Sequence, residues 1–272
     1  MSGRRVVRRT RRPRLDLCQY FRMALPGSPG TLLTVATRAT GSVADLVAAA
    51  ANCERVGVSV VRIPSTGLTS LAAAVAGLRE QTGLLVQLAD VTGEQPLDVL
   101  PDSASCPLAG AGSDDGWAAL VRLHTALRDR GVAPEYEITR TEQFAVLRRL
   151  LDDHGLPPNG RVHVGLVLGT PGGLAGDAAT LVDAVRLLPV GATFSAAGLN
   201  GSTIPVMLTA LATGGHLRVG TADTADYAEG QAARDDVQLV ARAAGLAKIA
   251  QRPPLAVAGA RELLGVHSPV QV

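Results

Sequence analysis

The sequence predicts an α/β fold, a single-domain (β/α)8 or TIM barrel, on three observations. Short β-rich runs alternate with longer Ala- and Leu-rich stretches at helical spacing, the pattern of repeated βα units around a parallel sheet. About eight such units can be counted, the number a barrel needs. The chain has 272 residues, 47% of them hydrophobic, which suits one large core, and no domain linker interrupts the series after Met23. Aromatic residues make up only 3%, so small branched side chains are expected to fill the barrel in layers.

The first strand is expected at Leu32–Thr37, followed by a helix over Val43–Val56 that Ser42 caps and Gly57 ends. The second unit pairs a strand at Ser59–Ile63 with a helix over Leu68–Gln81, stopped at Gly83. A third strand, Leu84–Ala89, runs to the next at Ser103–Leu108 over a connection too short for a full helix, so the third unit is expected to be truncated. The fourth helix-bearing stretch spans Gly116–Arg130, with Asp115 as N-cap and Gly131 after it. Strands at Pro134–Ile138, Val162–Leu168, Ala192–Ala197 and His216–Val219 complete the eight. Their helices are expected at Thr141–His154, ended by Gly155, then at Asp177–Leu188, Thr203–Ala212 and Arg234–Ala250. The Pro253-Pro254 break precedes a short terminal helix that ends near Leu264.

Charge divides the chain in two. Eight arginines and one acid, Asp16, precede Met23; without them the 26 basic and 24 acidic residues fall to 18 and 23, a net charge of −5. The body is therefore mildly acidic, which with the scarcity of aromatics argues against a nucleic-acid partner. Residues 1–30 are set apart as a basic extension, expected to be disordered; a nucleic-acid or anionic-surface tail and an organellar transit peptide are the alternatives. Residues 31–272 form the barrel domain. Cys18, Cys53 and Cys106 form no C-x-x-C pair and read as reduced thiols of a cytoplasmic protein, and no apolar run is long enough for a membrane span.

From Gly131 onward the order of motifs resembles the β-keto acid cleavage enzymes, zinc-dependent barrels that include 3-keto-5-aminohexanoate cleavage enzyme. The matching pieces are GVAPEYE at Gly131–Glu137, VGLVLGTPGG at Val164–Gly173, LLPVGATFS at Leu187–Ser195, GGHLRVG at Gly214–Gly220 and ARELLG at Ala260–Gly265. In the N-terminal half the match is one of layout, with Val60–Pro64 as the second strand. The resemblance implies transfer of an acetyl unit between a β-keto acid and acetyl-CoA, giving acetoacetate and a new acyl-CoA. It further implies that Arg218 and Asp223 are catalytic, that Glu135 contacts substrate, and that the protein is a homo-oligomer. The same alignment of motifs puts Arg62, Pro64 and Ala222 where relatives carry two histidines and a carboxylate on zinc. A protonated guanidinium, an acylated ring nitrogen and a methyl group cannot bind that ion, so no metal is expected.

Residues 62 and 64 lie two apart on a strand and so share one side, here the barrel axis near its mouth. A buried arginine there needs a carboxylate or an anionic ligand, and Glu135 and Asp223 are the candidates. Arg62 either replaces the metal as an electrophilic anchor for a carboxylate or enolate, or forms a structural ion pair. Glycine-rich turns at Gly198–Ser202 and Gly220–Asp223 follow the seventh and eighth strands, where barrels bind phosphates; Gly198, Gly201 and Ser202 are the candidates for coenzyme A. Ser65, Thr66 and Ser103 are expected near the mouth. His124, His154 and His267 read as packing or surface residues, and His163 and His216, opening strands at the barrel's bottom, read as structural. Two functions follow: a divergent, zinc-free enzyme acting on a small anionic keto acid, or a catalytically silent paralogue that binds a ligand or partners an active homologue.

Overall fold

Eight strands hydrogen-bond side by side in chain order and close on themselves, because each βα unit returns the chain parallel to its predecessor. They are β1 (Leu33–Ala36), β2 (Val60–Pro64), β3 (Leu85–Ala89), β4 (Ser103–Pro107), β5 (Ala133–Ile138), β6 (His163–Leu168), β7 (Thr193–Gly198) and β8 (His216–Val219). Closure is made by β1 against β8, with Thr34 opposite Arg218. This computed structural model describes residues 30–38 and 41–266. The basic extension, apart from Gly30, lies outside the described residues, as do Cys18 and His267.

The expected barrel and its order of units are present, and helix ends differ where the capping chemistry was misassigned. Helices α1 (Val43–Val56), α2 (Leu71–Gln81), α3 (Asp114–Asp129), α4 (Gln143–His154), α5 (Ala178–Arg186), α6 (Thr203–Ala212) and α7 (Asp236–Ile249) pack outside the strands. Ser42 caps α1 in a reciprocal box with Asp45, and Gly57 ends it in the left-handed region at φ 118°. Ser113, rather than Asp115, caps α3, accepting the Gly116 N–H at 3.2 Å. Ser70 caps α2, so that helix starts three residues later than its apolar spacing suggests. Thr82, not Gly83, is its C-cap. Helix α5 stops at Arg186, two residues short of the expected end, because Pro189 disfavours the helical conformation at the residue before it. The third unit is truncated as expected: between β3 and β4 only a 3-10 turn, Gln95–Val99, covers the sheet. A two-stranded ribbon, β9 (Asp226–Ala228) and β10 (Gln231–Ala232), precedes α7 and was not anticipated.

The branched aliphatic residues do not fill the barrel in layers. Outward strand residues such as Val61, Ile63, Leu88, Tyr136, Leu166 and Leu217 pack under the helices in the main apolar cluster. Inside, Leu32, Val60 and Leu85 form a floor that α8 (Val257–Leu264) plugs from below with Ala260 and Leu264. The chain leading to α8 is stitched to the start of β1, Thr31 N–H donating to Pro253 O and Leu255 N–H to Thr31 O, both at 2.9 Å. Above that floor the interior is polar: Gln87, Ser105, Glu135, His163, Ser195 and Arg218 are all buried. Among the described residues the Ser105 hydroxyl has no hydrogen-bond partner, but the charged groups satisfy one another, and that pairing builds the site.

Candidate active site

The upper ends of β1, β2, β3, β5 and β8 enclose a cleft of about 340 Å³ at the C-terminal mouth of the barrel. Arg62 and Pro64 line it from β2, Glu137 from β5, Arg218 from β8, and Ala222 and Asp223 from the turn beyond β8. The three positions where the resemblance implies zinc ligands thus meet in one place, carrying donors that do not suit the ion. Among the described residues no group of three His, Cys, Asp or Glu is disposed to hold a metal.

Two guanidiniums and two carboxylates form the floor of the cleft, with a third carboxylate beneath them. Arg218 holds Asp223 by two points, Nη2 to Oδ1 at 2.9 Å and Nε to Oδ2 at 3.2 Å. Its Nη1 reaches Glu137 Oε1 at 3.2 Å. Glu137 accepts with its other oxygen from Arg62 Nη2 at 3.0 Å, and so bridges the two arginines. Arg62 turns its Nη1 inward to Glu135 Oε1 at 3.2 Å and to Gln87 Oε1 at 3.3 Å. Such paired, hydrogen-bonded geometry is what makes four buried charges and the half-buried Glu137 tolerable together. Burial pushes the Glu137 carboxyl up, but the charges of Arg62 and Arg218 outweigh it and hold it below the ordinary value. Burial disfavours the Arg218 cation, yet Asp223, Glu137 and Glu135 raise its pKa above the usual arginine value.

A second tier lies below. His163 Nε2 sits 2.9 Å from Ser195 Oγ and 3.7 Å from Glu135 Oε2, while its Nδ1 contacts Thr193 Oγ1 at 2.8 Å. Burial depresses its pKa, which Glu135 offsets only in part, so the ring is neutral near pH 7. His216 accepts the Leu32 N–H at 3.0 Å through Nδ1, and burial, then His163 and Arg252, hold it well below the ordinary histidine value. Gly220 lets β8 turn into the Asp223 loop: a Cβ there would stand 2.1 Å from Ala36 O.

Of the residues expected at the site, Arg62, Arg218 and Asp223 line the same cleft. Glu135 also pairs with Arg62, but it is 3% exposed, sits beneath the guanidinium and does not line the cleft. Asp223, expected as a second partner of Arg62, belongs to Arg218 instead. Glu137 takes its place; it was missed, although the two-residue rule that paired 62 with 64 also pairs 135 with 137. His163 is not confined to the floor of the barrel, since it touches Glu135. Ser103 lies buried at the start of β4, and Ser65 is turned away to donate to Asp90 O at 3.0 Å, so neither lines the mouth. Gly198, Gly201 and Ser202 stand outside the cleft lining. Around them the N–H groups of Leu199, Asn200 and Ser202 donate to Leu168, Asp223 and Leu199 carbonyls. Arg38 and Asp90, which do line the cleft, were not singled out by spacing or motif.

Comparisons with known proteins agree with this architecture. A family described as beta-keto acid cleavage enzyme matches residues 41–266. A 3-keto-5-aminohexanoate cleavage enzyme of Acetoanaerobium sticklandii is 28% identical over 196 residues, 70% of this chain and 71% of that protein. One of Fusobacterium nucleatum is 26% identical over 195 residues, 70% of each. Among solved structures, the binary complex of ObcA with oxaloacetate superposes with a TM-score of 0.67 at 16% identity, covering 84% of this chain and 67% of that one. Apo ObcA gives 0.64, also at 16%, with 83% of this chain covered; the chain spans 65% of ObcA there. At that identity the likeness bears on the fold. Among the described residues no helix is long and apolar enough to cross a membrane.

Proposed function

Because the chain belongs to the β-keto acid cleavage enzyme family, we propose that it binds a small β-keto acid in the mouth cleft and exchanges acyl groups with acetyl-CoA without zinc. The products are acetoacetate and the acyl-CoA of the shortened chain. The observation that carries this reading is the Arg62–Glu137–Arg218–Asp223 chain of ion pairs under one cleft.

Each member has a role that follows from its place. Asp223, oriented by two-point contact with Arg218, is the proton acceptor for the keto acid. Arg218 and Arg62 supply positive charge where an enolate oxygen develops, a task electrostatic preorganisation does well because no solvent must reorient. Glu137 between them fixes their separation, and Glu135, beneath Arg62, is the counter-charge that keeps its guanidinium inside the barrel. Arg38 at the rim is exposed and stands ready for the substrate carboxylate. Acetyl-CoA is the acyl partner, with Gly198, Gly201 and Ser202 its candidate contacts, and a homo-oligomer in the cytoplasm is the expected setting. No observation favours a catalytically silent partner subunit.

The test is turnover of a panel of β-keto acids with acetyl-CoA, followed as acetoacetate, with and without a chelator. Chelator-insensitive formation that Arg218→Lys reduces sharply is the expected result. Loss of turnover on chelation, or no turnover across the panel, overturns the reading.

A further inference from the structure

Asp223 stands on a turn, residues 220–224, that follows β8 and has to be held in place for its carboxylate to face the cleft. Several of the turn's N–H groups go to main-chain oxygens. Asp223 and Thr224 donate to Gly220 O at 3.0 and 3.1 Å, and Ala222 donates across to Ala36 O on β1 at 3.2 Å. Thr221 differs: its N–H donates to a side chain, Asp236 Oδ1, at 2.6 Å. That bond ties the turn to the start of α7.

Asp236 is available for this because its neighbour caps the helix. Asp235, the N-cap of α7, accepts the Gln238 N–H at 2.8 Å, so the capping bond is made without Asp236. Asp235 is exposed, whereas Asp236 is half-buried. Burial raises the Asp236 carboxyl above its ordinary value against the Thr221 hydrogen bond; Asp235 adds to the rise and the charge of Arg38 opposes it. The other titratable group in reach is Cys53 on α1, a thiol that burial first, and then Asp236 and Asp235, push up to about 12. A carboxylate kept where its charge is disfavoured, and not used as a cap by its own helix, marks a functional contact rather than a surface acid.

We infer that Asp236 is a positioning residue: through the Thr221 N–H it fixes the turn that presents Asp223 to the cleft. This rests on the proposed keto-acid reaction and adds to it a residue outside the cleft lining. A hydrogen bond to a carboxylate is roughly twice as strong as one between neutral groups, and a small displacement of a reacting group is costly in rate. Loss of the tie therefore acts on kcat, where Asp223 works, and hardly on KM, which the arginines of the cleft set.

The experiment measures turnover of β-keto acids with acetyl-CoA in the wild type, Asp236→Ala, Asp236→Asn and the control Asp235→Asn, which removes the adjacent charge and keeps a capping side chain. All are assayed well below their unfolding temperatures, so that a change in stability alone does not enter. Asp236→Ala is expected to lower kcat by roughly 10- to 100-fold with KM changed less than about twofold. Asp236→Asn, whose side-chain oxygen still accepts from Thr221, should stay within about fivefold of the wild type, and Asp235→Asn should match it. An alanine variant with wild-type kcat, or one that changes KM alone, overturns the inference and leaves the keto-acid reading in place. No turnover by the wild type overturns that reading, and the role of Asp236 with it. A second measurement does not need the alanine variant to fold. In protein carrying isotope-labelled threonine, the Thr221 amide resonance should move with the ionisation of Asp236 as pH falls from 7 to 4, and stay still in Asp236→Asn; a resonance indifferent to pH, or one that titrates equally in both proteins, overturns the tie.

Discussion

Gly165 on β6 leaves the space that the Glu135 carboxylate fills: a Cβ added there would stand 2.8 Å from Glu135 Oε1. The closeness matters because Glu135 is the buried counter-charge of Arg62 and a neighbour of His163. A missing side chain on one strand thus sets where a cation of another strand can be held.

Gly165→Ala should therefore destabilise the fold by about 1–3 kcal/mol through overpacking against a charged group that cannot move freely. The added methyl is absorbed if Glu135 is shortened as well, so Gly165→Ala with Glu135→Ala should be less costly than the sum of the two single changes. Denaturant titration of the four proteins measures the coupling; strict additivity would show that the two side chains do not compete for space.

Glu137→Gln strips the bridge between two buried guanidiniums while keeping the shape. The expected result is a loss of about 3 kcal/mol or more, since the charges left behind remain buried, together with loss of turnover. Thermal unfolding gives the first quantity. A variant as stable as the parent would mean that Arg62 and Arg218 find other partners.

Acid should destabilise the protein earlier than carboxylate titration alone would. Burial lowers the pKa of His163 and His216, and of His124, whose ring also feels Arg128. Each is neutral when folded, so below about pH 6.5 the unfolded chain binds protons that the folded one refuses. Stability is then complete above that pH and falls as pH drops through it, by at most about 4 kcal/mol per unit if all three contribute. The depressed Glu137 acts in the same direction at lower pH, present above the ordinary carboxyl pKa and lost beneath it. Urea midpoints at pH 5 to 8 read the slope, and His216→Gln should flatten it; a midpoint independent of pH across that window would contradict the assignment.

Arg62→His, Pro64→His and Ala222→Glu, made together, should restore a zinc-binding donor set, because the three positions line one cleft. The triple variant is expected to retain about one zinc per chain by elemental analysis and to unfold at higher temperature with the metal than without it. A triple variant that folds but takes up no zinc would break the correspondence of these positions with a metal site.

The sequence by itself determined the barrel. Alternating apolar runs, glycines such as Gly57 and Gly155 after helices, and the short stretch between Ala89 and Ser103 are local signals, and local backbone physics suffices to read them. It also determined that Arg62, Pro64 and Ala222 cannot ligate zinc, because that depends on the chemistry of each side chain alone. Closure of the sheet decided the rest. Asp223 met Arg218 locally, five residues beyond it, but which other carboxylate meets which guanidinium depends on the register of strands far apart in the chain, and so Glu137 bridged both arginines and His163 came within reach of Glu135. The apolar residues were legible as core but not the side they face, since the inside of this barrel is polar and only three-dimensional pairing makes such burial affordable.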